Sequence, residues 1–257
     1  DGLQLGLKTG TIYAARETEM PVAVGSNALF GSDGTVSPTL LQTALQAFSY
    51  NVSTPRRDEE ADGTLVYVEN YSNIRLSPDG TLSYRASEVR HGLPLSDFLS
   101  MGDQESYGVK DVIFGAYALL DRIQPELGDL PGAGLRYSGA VFSPEEGCMT
   151  LYFDYVLSGM TIYCSGYEHA ATLRYQDGYF SSVTLLLRSY EQQGSCRLAD
   201  FERQWYLASI QSGVSPNVAE LCYEDHLDGA PMVAGYRFGL VQEQPEPDVQ
   251  AGQPTEQ

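Results

Sequence analysis

The first helical periodicity along the chain follows Ser37-Pro38, an N-cap residue and a proline at the first helical position. Leu40, Leu41, Ala44, Leu45 and Phe48 then recur at helical spacing, which predicts a helix over 38–49. Residues 54–63 are polar and charged without periodicity and read as an exposed loop. From Thr64 to Glu69 apolar and polar positions alternate among good β-formers. Asn73–Leu76, the turn Ser77-Pro78-Asp79-Gly80 and Thr81–Arg85 give strand, turn and strand in order, because proline sets φ while aspartate and glycine tolerate turn conformations. His91 to Ser106 mixes Gly, Pro, Ser and Asp with isolated apolar residues and reads as a connector.

A second helical stripe, Val109, Val112, Ile113, Ala116, Leu120 and Ile123, predicts a helix over about 108–126, with Gly128 placed to stop it. Leu135–Phe142 and Met149–Val156 read as strands around a turn at 143–147. Thr161–Cys164, His169–Tyr175 and one long strand from Tyr179 to Tyr190 follow. A third helix starts near Ala199-Asp200, places Phe201, Trp205 and Ala208 on one side and ends at Gly213. Val218–Tyr223 and Met232–Leu240 complete the strands.

Helix followed by strands therefore recurs three times, from about 38, 108 and 200, without repetition of residues. Short turns between successive strands imply antiparallel pairing, since parallel neighbours need long crossovers. The expected fold is α+β, with antiparallel sheets and helices packed on one face. Two subdomains are expected, 1–100 and 101–241, dividing somewhere within about 90–107. The acidic, Gln- and Pro-rich segment 242–257 reads as a disordered tail.

Composition sharpens this picture in two places. Eighteen tyrosines and nine phenylalanines among 42% apolar residues supply the large half-buried side chains that sheets use. The formal charge of −19 repels phosphate backbones and anionic headgroups, and Arg56-Arg57 is the one adjacent basic pair, so nucleic acid is not expected as a partner. The acidity otherwise serves solubility. No run reaches the roughly 18–20 apolar residues that span a bilayer. A start at Asp1 is what removal of a signal peptide, a membrane anchor or a disordered leader would leave.

Candidate chemistry is sparse. Cys148, Cys164, Cys196 and Cys222 allow three full pairings. Cys148 with Cys164 and Cys196 with Cys222 are the most local in an oxidising compartment, and small buried thiols are the alternative in a reducing one. The run Cys222-Tyr-Glu-Asp-His226 holds thiolate, carboxylate and imidazole within five residues. Tetrahedral zinc usually needs two such ligand pairs, so a strand-ending turn is the plainer reading. Asp154 is a candidate for two-carboxylate chemistry, but 34 acidic residues make chance pairs unavoidable.

Tyr152, Phe153, Tyr155, Tyr163, Tyr167, Tyr175, Tyr179 and Phe180 could line a groove for a peptide or sugar, or pack as cross-strand pairs. No serine elbow or glycine-rich phosphate loop occurs. Asn51-Val-Ser53 and Asn70-Tyr-Ser72 are acceptor tripeptides of the kind chance supplies. The reading therefore expects no enzyme, and it assigns no catalytic, cofactor-binding or metal residue and no cofactor.

Several of these segments resemble a known family in order and texture. They are Gly159-Met-Thr-Ile-Tyr163 after an aromatic strand, Ala170 to Tyr179, Ser182 to Tyr190, Val218-Ala-Glu-Leu-Cys-Tyr223 and Ala234-Gly-Tyr-Arg-Phe-Gly239. Over about residues 108–240 the chain is similar to the YycH/YycI-type extracytoplasmic regulators of the WalK (YycG) two-component system. The first hundred residues show no such match, and the N-terminal transmembrane anchor typical of members is not in this chain. The resemblance implies a non-catalytic, membrane-tethered accessory domain outside the cell that modulates a sensor kinase by protein contacts. Its implied partner is that kinase or a related regulator, with homo- or heterodimerisation. A secreted peptide- or glycan-binding module is the alternative, followed by a hydrolase with an unrecognised site.

Overall fold

The computed structural model describes residues 3–7, 10–14, 19–53, 56–69, 71–99, 107–123, 134–213 and 216–239. The tail expected at 242–257, Gly128, Asn70 and residues 100–106 of the connector lie outside them. The fold is mixed α+β and largely antiparallel. In chain order it runs β1 (Leu3–Leu7), β2 (Gly10–Ala14), β3 (Glu19–Asn27), α1 (Pro38–Ala47), β4 (Arg56–Glu59), β5 (Leu65–Glu69), β6 (Ser72–Leu76), β7 (Thr81–Ala86) and β8 (Leu93–Pro94). Then come α2 (Val109–Ile123), β9 (Gly134–Ser143), β10 (Cys148–Leu157), β11 (Met160–Cys164), β12 (Ala171–Gln176), β13 (Tyr179–Leu186) and β14 (Arg188–Arg197). The last elements are α3 (Phe201–Ser212), β15 (Val218–Asp225), β16 (Pro231–Met232) and β17 (Gly235–Gly239). Each helix is thus followed by its own set of strands, as the recurrence in the sequence predicts.

Two compact units divide the chain. The larger holds Glu17–Leu198 and Leu221–Gly235, and the smaller holds Asp1–Arg16, Ala199–Glu220 and Tyr236–Gln257. In the larger unit the main sheet is ordered β15-β11-β10-β12-β13-β7-β6-β5-β4, with β9 on the other edge of β10 and β8 on β13. Because β7 pairs with β13, strands from both sides of 90–107 belong to one sheet. Within this sheet β11 and β15 run parallel, from Ile162↔Tyr223 to Cys164↔Asp225. A second sheet is ordered β14-β3-β16.

The strand pleat sorts the main sheet into two faces. One face carries apolar rows that run straight across the strands. Leu151, Leu173, Val183, Tyr84, Ile74 and Tyr67 are successive cross-strand neighbours, and so are Phe153, Ala171, Leu185, Leu82, Leu76 and Leu65. All twelve are buried. Helices α1 and α2 pack on this face. Phe48, just past α1, stacks on Tyr84 at 4.9 Å, and Tyr117 of α2 meets Phe153 edge-on at 5.1 Å. Gly115 lets α2 approach closely, because a β-carbon there would overlap Leu95 Cδ1.

Local chemistry explains the helix boundaries. Ser37 Oγ accepts from Leu40 N at 3.4 Å ahead of Pro38, and Asp200 accepts from Arg203 N at 2.9 Å. Gly213 ends α3 in the left-handed conformation at φ 70°, where a side chain would be strained.

Three expectations differ from the structure. Part of the loop expected at 54–63 is β4, a fully exposed edge strand paired with β5, so it carries no burial signal. The strand expected from Met232 to Leu240 is two short ones, β16 and β17, while no strand is expected at β3, since Pro21 and Gly25 interrupt its pattern. The single strand expected from Tyr179 to Tyr190 is two strands in two sheets. They divide at Leu187, whose N–H donates to Gly80 O and whose carbonyl accepts from Ala28 N.

Candidate functional site

The sheet face opposite the helices is polar. Thr150, Arg174, Ser182, Arg85, Asn73 and Val68 are successive neighbours across six strands, and beside them run Thr172, Thr184, Ser83, Arg75 and Val66. This alternation is the reverse of the apolar rows and follows from the same two-residue period. A groove of ≈ 660 Å³ lies over the centre of this face, floored by β6, β7, β12 and β13 and walled by Ser87, Glu88 and Val89. Ser87 N donates to Tyr71 O at 2.7 Å, and Ser87 Oγ lies 3.3 Å from His91 Nδ1, whose ring stacks on Tyr71.

Three guanidiniums reach this groove. Arg75 grips Glu60 with both terminal nitrogens, one of them at 2.8 Å, and this carboxylate raises the pKa of Arg75 further. Arg174 Nη2 donates to Glu146 Oε2 at 3.0 Å, and Gln176 Nε2 donates to Glu146 O at 2.9 Å. Arg85 lies between them. It is exposed, and among the described residues no carboxylate pairs with it.

The groups singled out by sequence are dispersed. Asp154 binds His169 Nδ1 at 3.1 and 3.2 Å and accepts from Ala170 N at 3.2 Å, and the imidazole stacks on Tyr152 at 4.4 Å. In the run 222–226, Cys222, Tyr223 and Asp225 are buried while Glu224 and His226 are exposed. His226 Nδ1 lies 3.1 Å from Ser165 Oγ, and no group of three or more potential metal ligands gathers among the described residues.

All four cysteines are thiols, so neither Cys148–Cys164 nor Cys196–Cys222 is bridged as the oxidising alternative would have it. Burial pushes Cys164 up to about 11, the opposite of what a nucleophilic thiolate needs. The clustered aromatics split between faces. Phe153, Tyr155 and Phe180 are core, Tyr175 meets Phe180 edge-on, and Tyr152 caps His169.

Two features escaped sequence reasoning. One is the arginine cluster of the polar face, whose members lie on three separate strands with no local motif. The other is a buried polar knot in the larger unit. Arg188 Nε and Nη2 donate to Asp225 Oδ2 and Oδ1 at 2.9 and 3.0 Å, and Tyr190 donates to Asp225 Oδ2 at 3.2 Å. Cys164 Sγ lies 3.7 Å from Tyr190 Oη, and Leu227 N caps the same carboxylate at 2.9 Å. Gly25 is required beside it, because a β-carbon there would lie 2.6 Å from Asp225 Oδ2 and 2.9 Å from Arg188 and Tyr190.

No protein-family model and no curated protein sequence matches the chain. Among solved structures, the chain is similar to YycH from Bacillus subtilis, with a TM-score of 0.50 and 10% identity over 90% of this chain and 56% of that one. It also overlaps an uncharacterised protein from Eubacterium rectale at a TM-score of 0.40 and 11% identity, covering 89% of this chain and 80% of that one. This chain therefore spans little more than half the length of YycH, and the likeness is one of fold: a YycH-like α+β architecture.

Proposed function

We propose that this chain is a non-catalytic extracytoplasmic accessory domain that modulates a membrane sensor kinase through protein contacts, held at the membrane by an N-terminal segment. The observation that carries this reading is the YycH-like arrangement of helices and sheets over 90% of the chain. It agrees with how the reactive groups are used. Asp225 is locked to Arg188, Asp154 to His169, and the Cys164 thiol is buried and protonated, so each is committed to structure. An open polar sheet face remains as the surface for a partner.

The test is binding of the purified chain to the immobilised extracytoplasmic domain of the sensor kinase from the same organism, followed by autophosphorylation of the full-length kinase in proteoliposomes. Saturable binding with a changed phosphorylation rate is the expected result. Failure to bind any kinase sensor domain of that organism, or turnover of a small metabolite, would overturn the reading. The groove favours a second reading, a secreted peptide- or glycan-binding module. Tight binding on a peptide or glycan array without kinase binding would select it.

A further inference from the structure

We infer that Arg85 is the anchor point for a carboxylate side chain of the partner protein, received in the groove on the open sheet face. This inference rests on the regulator reading above and names the chemistry of its contact.

Position in the sheet singles out Arg85. Its direct neighbours across the strands are Ser182 and Asn73, whose hydroxyl and amide can donate to the same anion. Arg75 lies on the diagonal, about 7–8 Å away, and Arg174 lies two strands over in the same row, about 10 Å away. These two donate to Glu60 and Glu146, which occupies their forks and offsets much of their charge. Among the described residues Arg85 has no partner, so it presents its five donors and its full charge to the groove, on a molecule that is otherwise strongly acidic. A planar carboxylate accepts the guanidinium fork with two parallel hydrogen bonds, whereas an amide of the same shape cannot neutralise it.

The recess also limits the ligand. Glu88 stands on the wall with a negative charge of its own, and Arg75 and Arg174 have carboxylate partners, so Arg85 is the one guanidinium of the groove without an ion-pair partner among the described residues. A single Asp or Glu side chain on a neutral or basic surface satisfies it. A polyanion would meet the repulsion of the molecule as a whole.

The experiment follows the side-chain Nε–H signals of the full chain by NMR, titrating with glutamate capped at both ends and, as the uncharged control, glutamine capped in the same way. Arg85 should shift saturably with glutamate and not with glutamine, and should move more than Arg203, an exposed arginine elsewhere. In parallel, Arg85→Ala should weaken binding to the kinase sensor domain about tenfold or more, and Arg85→Lys by less, since it keeps the charge and loses the fork. Melting curves of both variants should match the unaltered chain. An Arg85 signal that ignores glutamate or moves no more than Arg203, or a kinase affinity unchanged in Arg85→Ala, overturns the inference and leaves the regulator reading intact. A glutamate-specific shift with no kinase binding by the unaltered chain does the reverse, sinking the regulator reading while the carboxylate site stands.

Discussion

Arg188 and Asp225 form a two-pronged ion pair in which each side chain is only 3% exposed. Water reaches neither charge, so each depends on the other and on Tyr190 and Leu227 N for solvation. Removing one partner strands the other. Arg188→Leu or Asp225→Leu alone should cost about 3–5 kcal/mol in urea unfolding. The double replacement should recover much of that loss, because a stranded charge no longer remains. Equal costs for single and double variants would show that packing, not charge, dominates.

Tyr155 closes the break between β13 and β14. Its hydroxyl donates to Leu186 O at 2.8 Å and accepts from Arg188 N at 3.2 Å, the two backbone groups that the strand break leaves without ladder partners. Tyr155→Phe keeps the ring against Tyr190 but orphans both groups in a buried site. A loss of roughly 1–3 kcal/mol is expected, with faster amide exchange at Arg188. Unchanged exchange there would contradict the role.

These two sites explain what the sequence could and could not reveal. Local chemistry was legible: Ser37-Pro38, Asp200 and Gly213 mark helix ends by short-range bonds, and Ser77 to Gly80 marks its hairpin. The strand β3 was not legible, because its partner is β14, with Glu19 and Ser195 separated by 176 residues, and its Gly25 answers to crowding by side chains far along the chain. The apolar run through Leu187 reads as one strand because burial is continuous across it, while the break is set by Tyr155, Gly80 and Ala28. The polar groove is illegible for a similar reason. Arg75, Arg85 and Arg174 are ordinary outward-facing strand residues until register places them together.

Burial sets the response to alkaline pH. It pushes Cys164 up to about 11 and Tyr50 and Tyr223 up to about 12, and it raises Tyr155 and Tyr190 as well. The folded chain holds these protons after the unfolded chain has released them, so the contribution is complete below the unfolded thiol value, about pH 8.5, and is lost as pH rises through the folded values. Urea midpoints should therefore hold from pH 7 to 8 and fall above about 9. The slope should approach roughly 1.4 kcal/mol per pH unit for each group that titrates only when unfolded. Burial raises the Cys148 thiol too, so in Cys164→Ala the fall should begin at the same pH and be shallower until the tyrosine range of about 10. A flat profile to pH 10.5 would mean these groups are not sequestered from water.

Among its described residues the smaller unit shows little buried surface, and the lone tryptophan reports on it. Phe201 is the one buried residue of α3, and it packs with Trp205, Tyr236 and Phe238 at centroid distances of 4.9–5.9 Å. Tyr206 and Ile210 on the same helix are exposed. The larger unit, by contrast, has two complete buried rows across six strands. Opening of a segment costs less where fewer apolar side chains leave their neighbours. Trp205 fluorescence should therefore change at lower urea than the far-ultraviolet circular dichroism, which the main sheet dominates, and Phe201→Ala should widen the gap by shifting the fluorescence midpoint alone. Coincident midpoints in both chains would show that the two units unfold as one cooperative body.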